Sequence, residues 1–301
     1  MKITRRQMLG ACAAATLARP VWAGVTLEMG QVKIETLSDG HLVLPRAFML
    51  GDAPQPEADE ILLLQGVEGQ SFTPPCNLTL LRDGTNTILF DAGSGPGFQP
   101  TAGKLLAALD AVGVSPGEVT HVVFTHGHPD HLWGVLDDFD EPLFAEAQYL
   151  MGADEFAYWR DPDTLAAIGP ARQAFAVGAR RRLDLLAERI TEIKDGQEIL
   201  PGVTAQATYG HTPGHMSYVL HQGSDSVMVL GDAVANAHLA FLRPGWHWGS
   251  DQDPDQAAQA RVALLDQIVQ DKMRLIGFHL PGPGIGRAEK APDGYRFIAE
   301  A

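Results

Sequence analysis

The hexapeptide His126-Gly127-His128-Pro129-Asp130-His131 decides how this chain is read. Three imidazoles and a carboxylate in one short loop are costly to crowd together unless a cation unites them. The residues before it, His121-Val122-Val123-Phe124-Thr125, have the β-branched and aromatic content of a buried strand. His126 therefore stands where a strand ends and a loop opens. Gly127 and Pro129 alternate with the polar residues and predict a fixed, irregular backbone. Such a loop can aim His126 and His128 at one centre and Asp130 and His131 at a second.

The same arrangement recurs downstream. An alternating run over 203–209 predicts a strand that delivers Gly210-His211-Thr212-Pro213-Gly214-His215. Another, over 226–231, leads into Asp232, and a third, over 274–278, ends at His279. Each candidate ligand closes a predicted β-segment, where strands of one sheet present side chains to a shared cleft. His41, His121, His221, His238 and His247 stand outside this pattern and are read as structural or solvent-facing.

With H-x-H-x-D-H, then G-H-T-P-G-H, then Gly231-Asp232 and the late His279, the chain resembles the metallo-β-lactamase fold superfamily with two metals. The tail Gly277-Phe278-His279-Leu280-Pro281-Gly282-Pro283-Gly284-Ile285-Gly286, followed by Gly294-Tyr295-Arg296-Phe297, resembles the methyl parathion hydrolase branch. So does the opening Thr36-Leu37-Ser38-Asp39-Gly40 with Leu44-Pro45. Periodicity alone predicts a mixed α/β class; the resemblance implies an αββα sandwich in one hydrolase domain over 24–301. It implies one metal on His126, His128 and His211, and a second on Asp130, His131 and His279. Asp232 would bridge the two, and His215 would support the ligands. Phe98 and Trp159 fall where the branch has pocket aromatics, which suit an apolar or aryl group.

Imidazole and carboxylate ligands without thiolate suit zinc and also admit manganese, iron or cobalt, so two divalent ions, zinc first, are expected. Cys76 is read as standing outside every cluster, which sets aside the zinc lactamases that use a cysteine. A metal lowers the pKa of bound water from ~15.7 toward ~7. The expected reaction is therefore hydroxide attack from the bridging position on a lactone, a carboxylic ester or an aryl phosphotriester. Asp130 is the expected catalytic residue, orienting the nucleophile or relaying its proton. Thioester or β-lactam hydrolysis, a mononuclear iron sulfur dioxygenase of the same fold, and a non-catalytic metal-binding accessory protein are the alternatives.

Thr4-Arg5-Arg6-Gln7-Met8-Leu9 and the small apolar residues after it predict an export signal over 1–23, too short to span a membrane. Its paired arginines indicate the twin-arginine type, with a general secretory signal as the alternative. Val21-Trp22-Ala23 offers a cleavage site before Gly24, which makes the mature chain periplasmic or secreted. Removing Cys12 leaves Cys76 alone, so no internal disulfide is expected. With 37 acidic against 22 basic residues and a net charge of −15, nucleic acid and anionic membrane are poor partners. A small-molecule substrate is expected, with a homodimer left open.

Strands are further predicted over 32–37 and 41–44, and a hairpin over 77–81 and 87–90 around Asp83-Gly84. Helical patterns cover 102–112, 163–188 with a break near Gly169-Pro170, and 254–270 with Asp253 as N-cap. The stretch 49–75, rich in Pro, Gly and acids, reads as a long loop.

Overall fold

The computed structural model describes residues 23–300. The expected export signal therefore falls almost wholly outside the described residues. The first half contributes β1 (Ala23–Met29), β2 (Val32–His41), β3 (Leu44–Pro45), β4 (Ser71–Phe72), β5 (Pro75–Arg82), β6 (Thr87–Phe90), β7 (His121–Val123), β8 (Gln148–Gly152) and β9 (Ile190–Ile193). One sheet takes the order β1-β2-β5-β6-β7-β8-β9, while β3 pairs only with β4. The second half contributes β10 (Glu198–Leu200), β11 (Val203–Ala207), β12 (Met216–Gln222), β13 (Asp225–Val229), β14 (Arg274–Ile276), β15 (Ile285–Ala291) and β16 (Gly294–Ala299). These form a second sheet in chain order.

Side-chain alternation explains why the sheets stack. Leu89 packs to one side with Leu80, Val122 and Tyr149, while its neighbours Ile88 and Phe90 pack to the other with Val123 and Leu150. Successive residues of a strand point to opposite faces, so a run that is apolar on both must lie between two layers. Phe90, Val123, Tyr218 and Val229 fill the space between the sheets. The helices α1 (Arg46–Leu50), α2 (Gln55–Leu64), α3 (Leu105–Ala111), α4 (Pro129–Leu132), α5 (Ala153–Arg160), α6 (Thr164–Ala167), α7 (Gln173–Leu186) and α8 (Pro254–Gln270) supply the outer layers. Leu105, Leu109, Leu183 and Leu186 cover the first sheet; Leu264, Leu265 and Ile268 cover the second against Met228 and Leu275. This is the αββα sandwich. Each such buried side chain contributes about 1.5–3 kcal/mol, so layering rather than local propensity holds strands as short as β7.

Local chemistry matches expectation at α8, where Asp253 accepts the Gln256 N–H at 3.0 Å. It also matches at the β5–β6 turn, where the Asp83 carboxylate accepts the N–H groups of Thr85 and Asn86. Elsewhere tertiary packing wins. Residues 41–44 are no separate strand, because β2 continues to His41 through an irregularity after Ser38. By contrast, the break expected near Gly169-Pro170 within 163–188 falls at Gly169, φ 86°, and leaves α6 and α7. The 102–112 helix begins only at Leu105, after Gly103 at φ 76°.

The 49–75 loop is a correction. It contains the end of α1, the whole of α2, and β4. Pro56 sits in the first turn of α2, where its missing N–H costs nothing, and Ala58 and Leu62, one turn apart, are fully buried. Pro54, Pro56 and Glu57, part of what suggested a loop, are thus helix-start residues. No helix among the described residues is long and apolar enough to cross a membrane.

Candidate metal centre

Strands β7, β13 and β14 each end three residues before the side chains of interest, so His126, Asp232 and His279 sit on loops held by short strand ends. His128 enters α4, and Asp130 and His131 lie within it. His126 Nε2 and His211 Nε2 each stand 3.0 Å from His128 Nδ1. His279 Nε2 lies 3.2 Å from Asp130 Oδ2, and His131 Nε2 lies 3.3 Å from Asp232 Oδ1. Asp232 Oδ2 is 3.3 Å from both His211 Nε2 and His279 Nε2. All seven expected ligands converge, and Asp232 touches both groups.

The electrostatics of the two groups differ. Burial first, and then neighbouring histidines, hold His126 and His128 well below the ordinary imidazole range. They are neutral, the form that ligates metal. At His131 burial acts downward, but Asp232, Asp91 and Asp130 outweigh it and push the imidazole up to about 10. His279 is raised for the same reason by Asp232 and Asp130, and Asp232 is held well below the carboxylate range. In the protein alone, protons on His131 and His279 offset carboxylate charge that a cation would otherwise neutralise. Asp130 Oδ2, His131 Nε2 and Asp232 Oδ1 are buried without a hydrogen-bond partner. Three orphaned atoms in one place fit a bound cation, since buried polar atoms are otherwise satisfied.

A surrounding frame fixes each imidazole. Asp91 Oδ2 is 2.8 Å from His131 Nδ1 while its Oδ1 accepts the Thr125 N–H at 2.7 Å. Asp251 Oδ1 is 3.0 Å from His211 Nδ1, and Arg261, itself buried, donates to Asp251 Oδ2 at 2.7 Å. Thr125 Oγ1 stands 3.0 Å from His126 Nδ1, and His279 Nδ1 donates to the Pro75 carbonyl at 2.8 Å. Occupying the second ring nitrogen fixes both tautomer and ring orientation. Glu155 joins two ligand loops: it accepts the N–H of Gly127 at 2.7 Å, and the Thr212 hydroxyl and Gly214 N–H at 2.7 and 3.0 Å. The sequence reading missed Asp91, Glu155, Asp251 and Arg261. Only Asp91 gave a usable signal, since it follows β6 at a strand end as the ligands do.

Cys76 corrects another expectation. Its sulfur falls within 4.8 Å of ligand atoms of Asp130 and His279, so it borders the second group instead of standing apart. Phe98 lines the cleft over the ligands with Leu42, Phe48, Met49, Arg172 and Phe175. Trp159 does not line that cleft. It is 1% exposed, its indole N–H donates to Glu155 at 2.5 Å, and a side chain at Gly127 would collide with it. The aromatic expected in the pocket supports the ligand loop from beneath. A G-x-S-x-G match at Gly113-Val114-Ser115-Pro116-Gly117 is an exposed capping box in which Ser115 Oγ donates to Glu118 at 2.6 Å.

The chain matches the family described as Metallo-beta-lactamase superfamily over residues 73–279. Metallo-beta-lactamase domain-containing protein 1 of Xenopus laevis is 31% identical over 213 residues, covering 68% of this chain and 73% of that protein. Among solved structures, the hydrolase AbOPH superposes with a TM-score of 0.87 at 28% identity, covering 94% of this chain and 99% of its own. AidC, a dizinc quorum-quenching lactonase, gives 0.87 at 23% identity over 93% and 99%, a likeness of fold. With a family match across most of the sandwich and every ligand-bearing loop, this chain belongs to the metallo-beta-lactamase superfamily.

Proposed function

We propose that this protein is an exported, binuclear metal-dependent hydrolase of an ester-like bond in a small, largely apolar molecule. A lactone or carboxylic ester is the first substrate class; an aryl phosphotriester, the chemistry of the methyl parathion hydrolase branch it resembles in sequence, is the second. The observation that carries the reading is Asp232 Oδ2, at 3.3 Å from a histidine of each ligand group. His126, His128 and His211 would hold one metal, and Asp130, His131 and His279 the other, with zinc the first choice for both. Two bound divalent metals supply a nucleophilic water at neutral pH and polarise the oxygen of the scissile group.

The chain's own part is to hold and to exclude. Asp130, whose Oδ2 lies 3.2 Å from His279 Nε2 and 3.6 Å from His131 Nε2, would also orient the attacking water or relay its proton. Phe48, Phe98 and Phe175 exclude water and pack against an acyl or aryl group. Phe98 and Phe175 meet edge-on with ring centroids 6.1 Å apart, an aromatic wall that suits an aryl leaving group and favours the phosphotriester as second reading.

The test is metal content together with kcat/KM for an acyl lactone and for an aryl phosphotriester. Two metals per chain and turnover of either ester support the proposal, and the ratio of the two rates ranks the substrates. One iron with oxygen consumption supports a dioxygenase instead. Asp232→Asn with full activity would contradict the bridging role. Export is part of the same proposal, and Arg5→Lys with Arg6→Lys should block delivery if the twin-arginine route is used.

A further inference from the structure

We infer that Arg172 makes the cleft selective for a substrate that carries a carboxylate, so that an acidic ester is preferred over a neutral one. The inference rests on the hydrolase reading and adds the charge of the substrate.

Apart from the ligands, Ser250 and Arg172, the cleft is apolar. Leu42, Leu44, Phe48, Met49, Phe98 and Phe175 form its walls, and among its lining residues Arg172 is the single lysine or arginine. The guanidinium is fixed but not neutralised. Its Nη2 donates to two main-chain carbonyls, Gly249 O at 2.6 Å and Asp251 O at 3.3 Å. No carboxylate among the described residues forms an ion pair with it, and the Asp251 carboxylate is engaged by His211 at 3.0 Å and Arg261 at 2.7 Å. The remaining donors of Arg172 have no hydrogen-bond partner among the described residues. The backbone adds a field of the same sign. Arg172 is the N-cap of the 14-residue helix α7, and both it and Phe175 of the first turn line the cavity, which sets the positive end of the helix beside the cleft.

A guanidinium with free donors in an apolar cavity pairs best with a planar carboxylate, which it can meet with two parallel bonds. A wholly neutral substrate would cover the charge and give it nothing in return, a desolvation penalty without a partner. The acidic surface of the chain does not cancel this preference, because exposed charges farther than a Debye length of about 8 Å are screened.

The test uses two lactones of one ring size whose side chains have equal length and end in a carboxylate or in a methyl group. Wild type should favour the carboxylate by about tenfold in kcat/KM, mostly through KM. Arg172→Met should bring that ratio close to one, Arg172→Lys should restore part of it, and Arg172→Glu should reverse it. A wild-type ratio near or below one, or a ratio that Arg172→Met leaves unchanged, overturns the inference alone. A metal-loaded wild type that cleaves neither lactone nor an aryl phosphotriester overturns the hydrolase reading and this inference with it.

Discussion

The Nε2 of His215 accepts the backbone N–H of Asp232 at 3.0 Å. Its Nδ1 meets the Thr208 hydroxyl at 2.8 Å, so both ring nitrogens are in use, and neither is left for a metal. Burial drives this imidazole down to about 3, and it stays neutral across the working range. Gly231, at φ 54°, makes room for the contact, since a Cβ there would lie 2.6 Å from His215 Nε2. His215→Ala frees the Asp232 backbone. Metal affinity should fall about 10- to 100-fold, with metal content restored at saturating metal; chelator competition measures the first and elemental analysis the second.

Glu155 predicts a larger structural effect. Its two oxygens receive four donors from Gly127, Trp159, Thr212 and Gly214. A glutamine offers one acceptor oxygen and turns an NH2 toward the rest. Glu155→Gln should therefore lose roughly 2–5 kcal/mol of stability, since each buried unsatisfied donor costs about 1–3. Urea unfolding of the metal-loaded variant reads this directly, and an unchanged midpoint would remove Glu155 from the frame.

Metal removal should destabilise the fold even before any ligand is mutated. Asp130 and Asp232 are left close together with orphaned buried oxygens. Stripping with a chelator should lower the Tm by roughly 5–10 °C relative to protein kept at a metal excess, by mass action. Scanning calorimetry before and after adding zinc, manganese or cobalt back will also rank the metals by recovery.

His121 gives a pH signature separate from the ligands. It is buried in β7 with Nδ1 at 2.9 Å from the Thr120 hydroxyl, and burial holds it below the ordinary value of 6.5. The unfolded chain protonates this group more readily than the folded one. Its contribution to stability is thus present above pH 6.5 and lost as pH falls through 6.5 toward the folded value. His121→Phe should flatten the acid-side decline in unfolding free energy relative to wild type, both measured with metal present. Identical slopes would show that His121 titrates alike in both states.

Sequence and structure agree best where the signal is short-range. The 126–131 loop, the Asp253 cap and the Asp83 turn are each set by residues within a few positions of one another. Agreement fails where a distant surface decides. Trp159 has the composition of a pocket aromatic, yet its position is set by Glu155 and by the space that Gly127 leaves. The prolines of 49–75 signal a loop until the second sheet supplies an apolar surface for Ala58 and Leu62.

By itself the amino-acid sequence determined the chemistry available to this protein: imidazoles and carboxylates at the ends of alternating apolar runs, with the loop residues that free them from regular structure. Tertiary structure alone decided how those groups are held. The Asp91 carboxylate reaches His131 across 40 residues, and Glu155 reaches Gly214 across 59. Pairing of that kind follows from the stacking of two sheets, which brings loops together by burying apolar area that carries no record of which polar groups will meet.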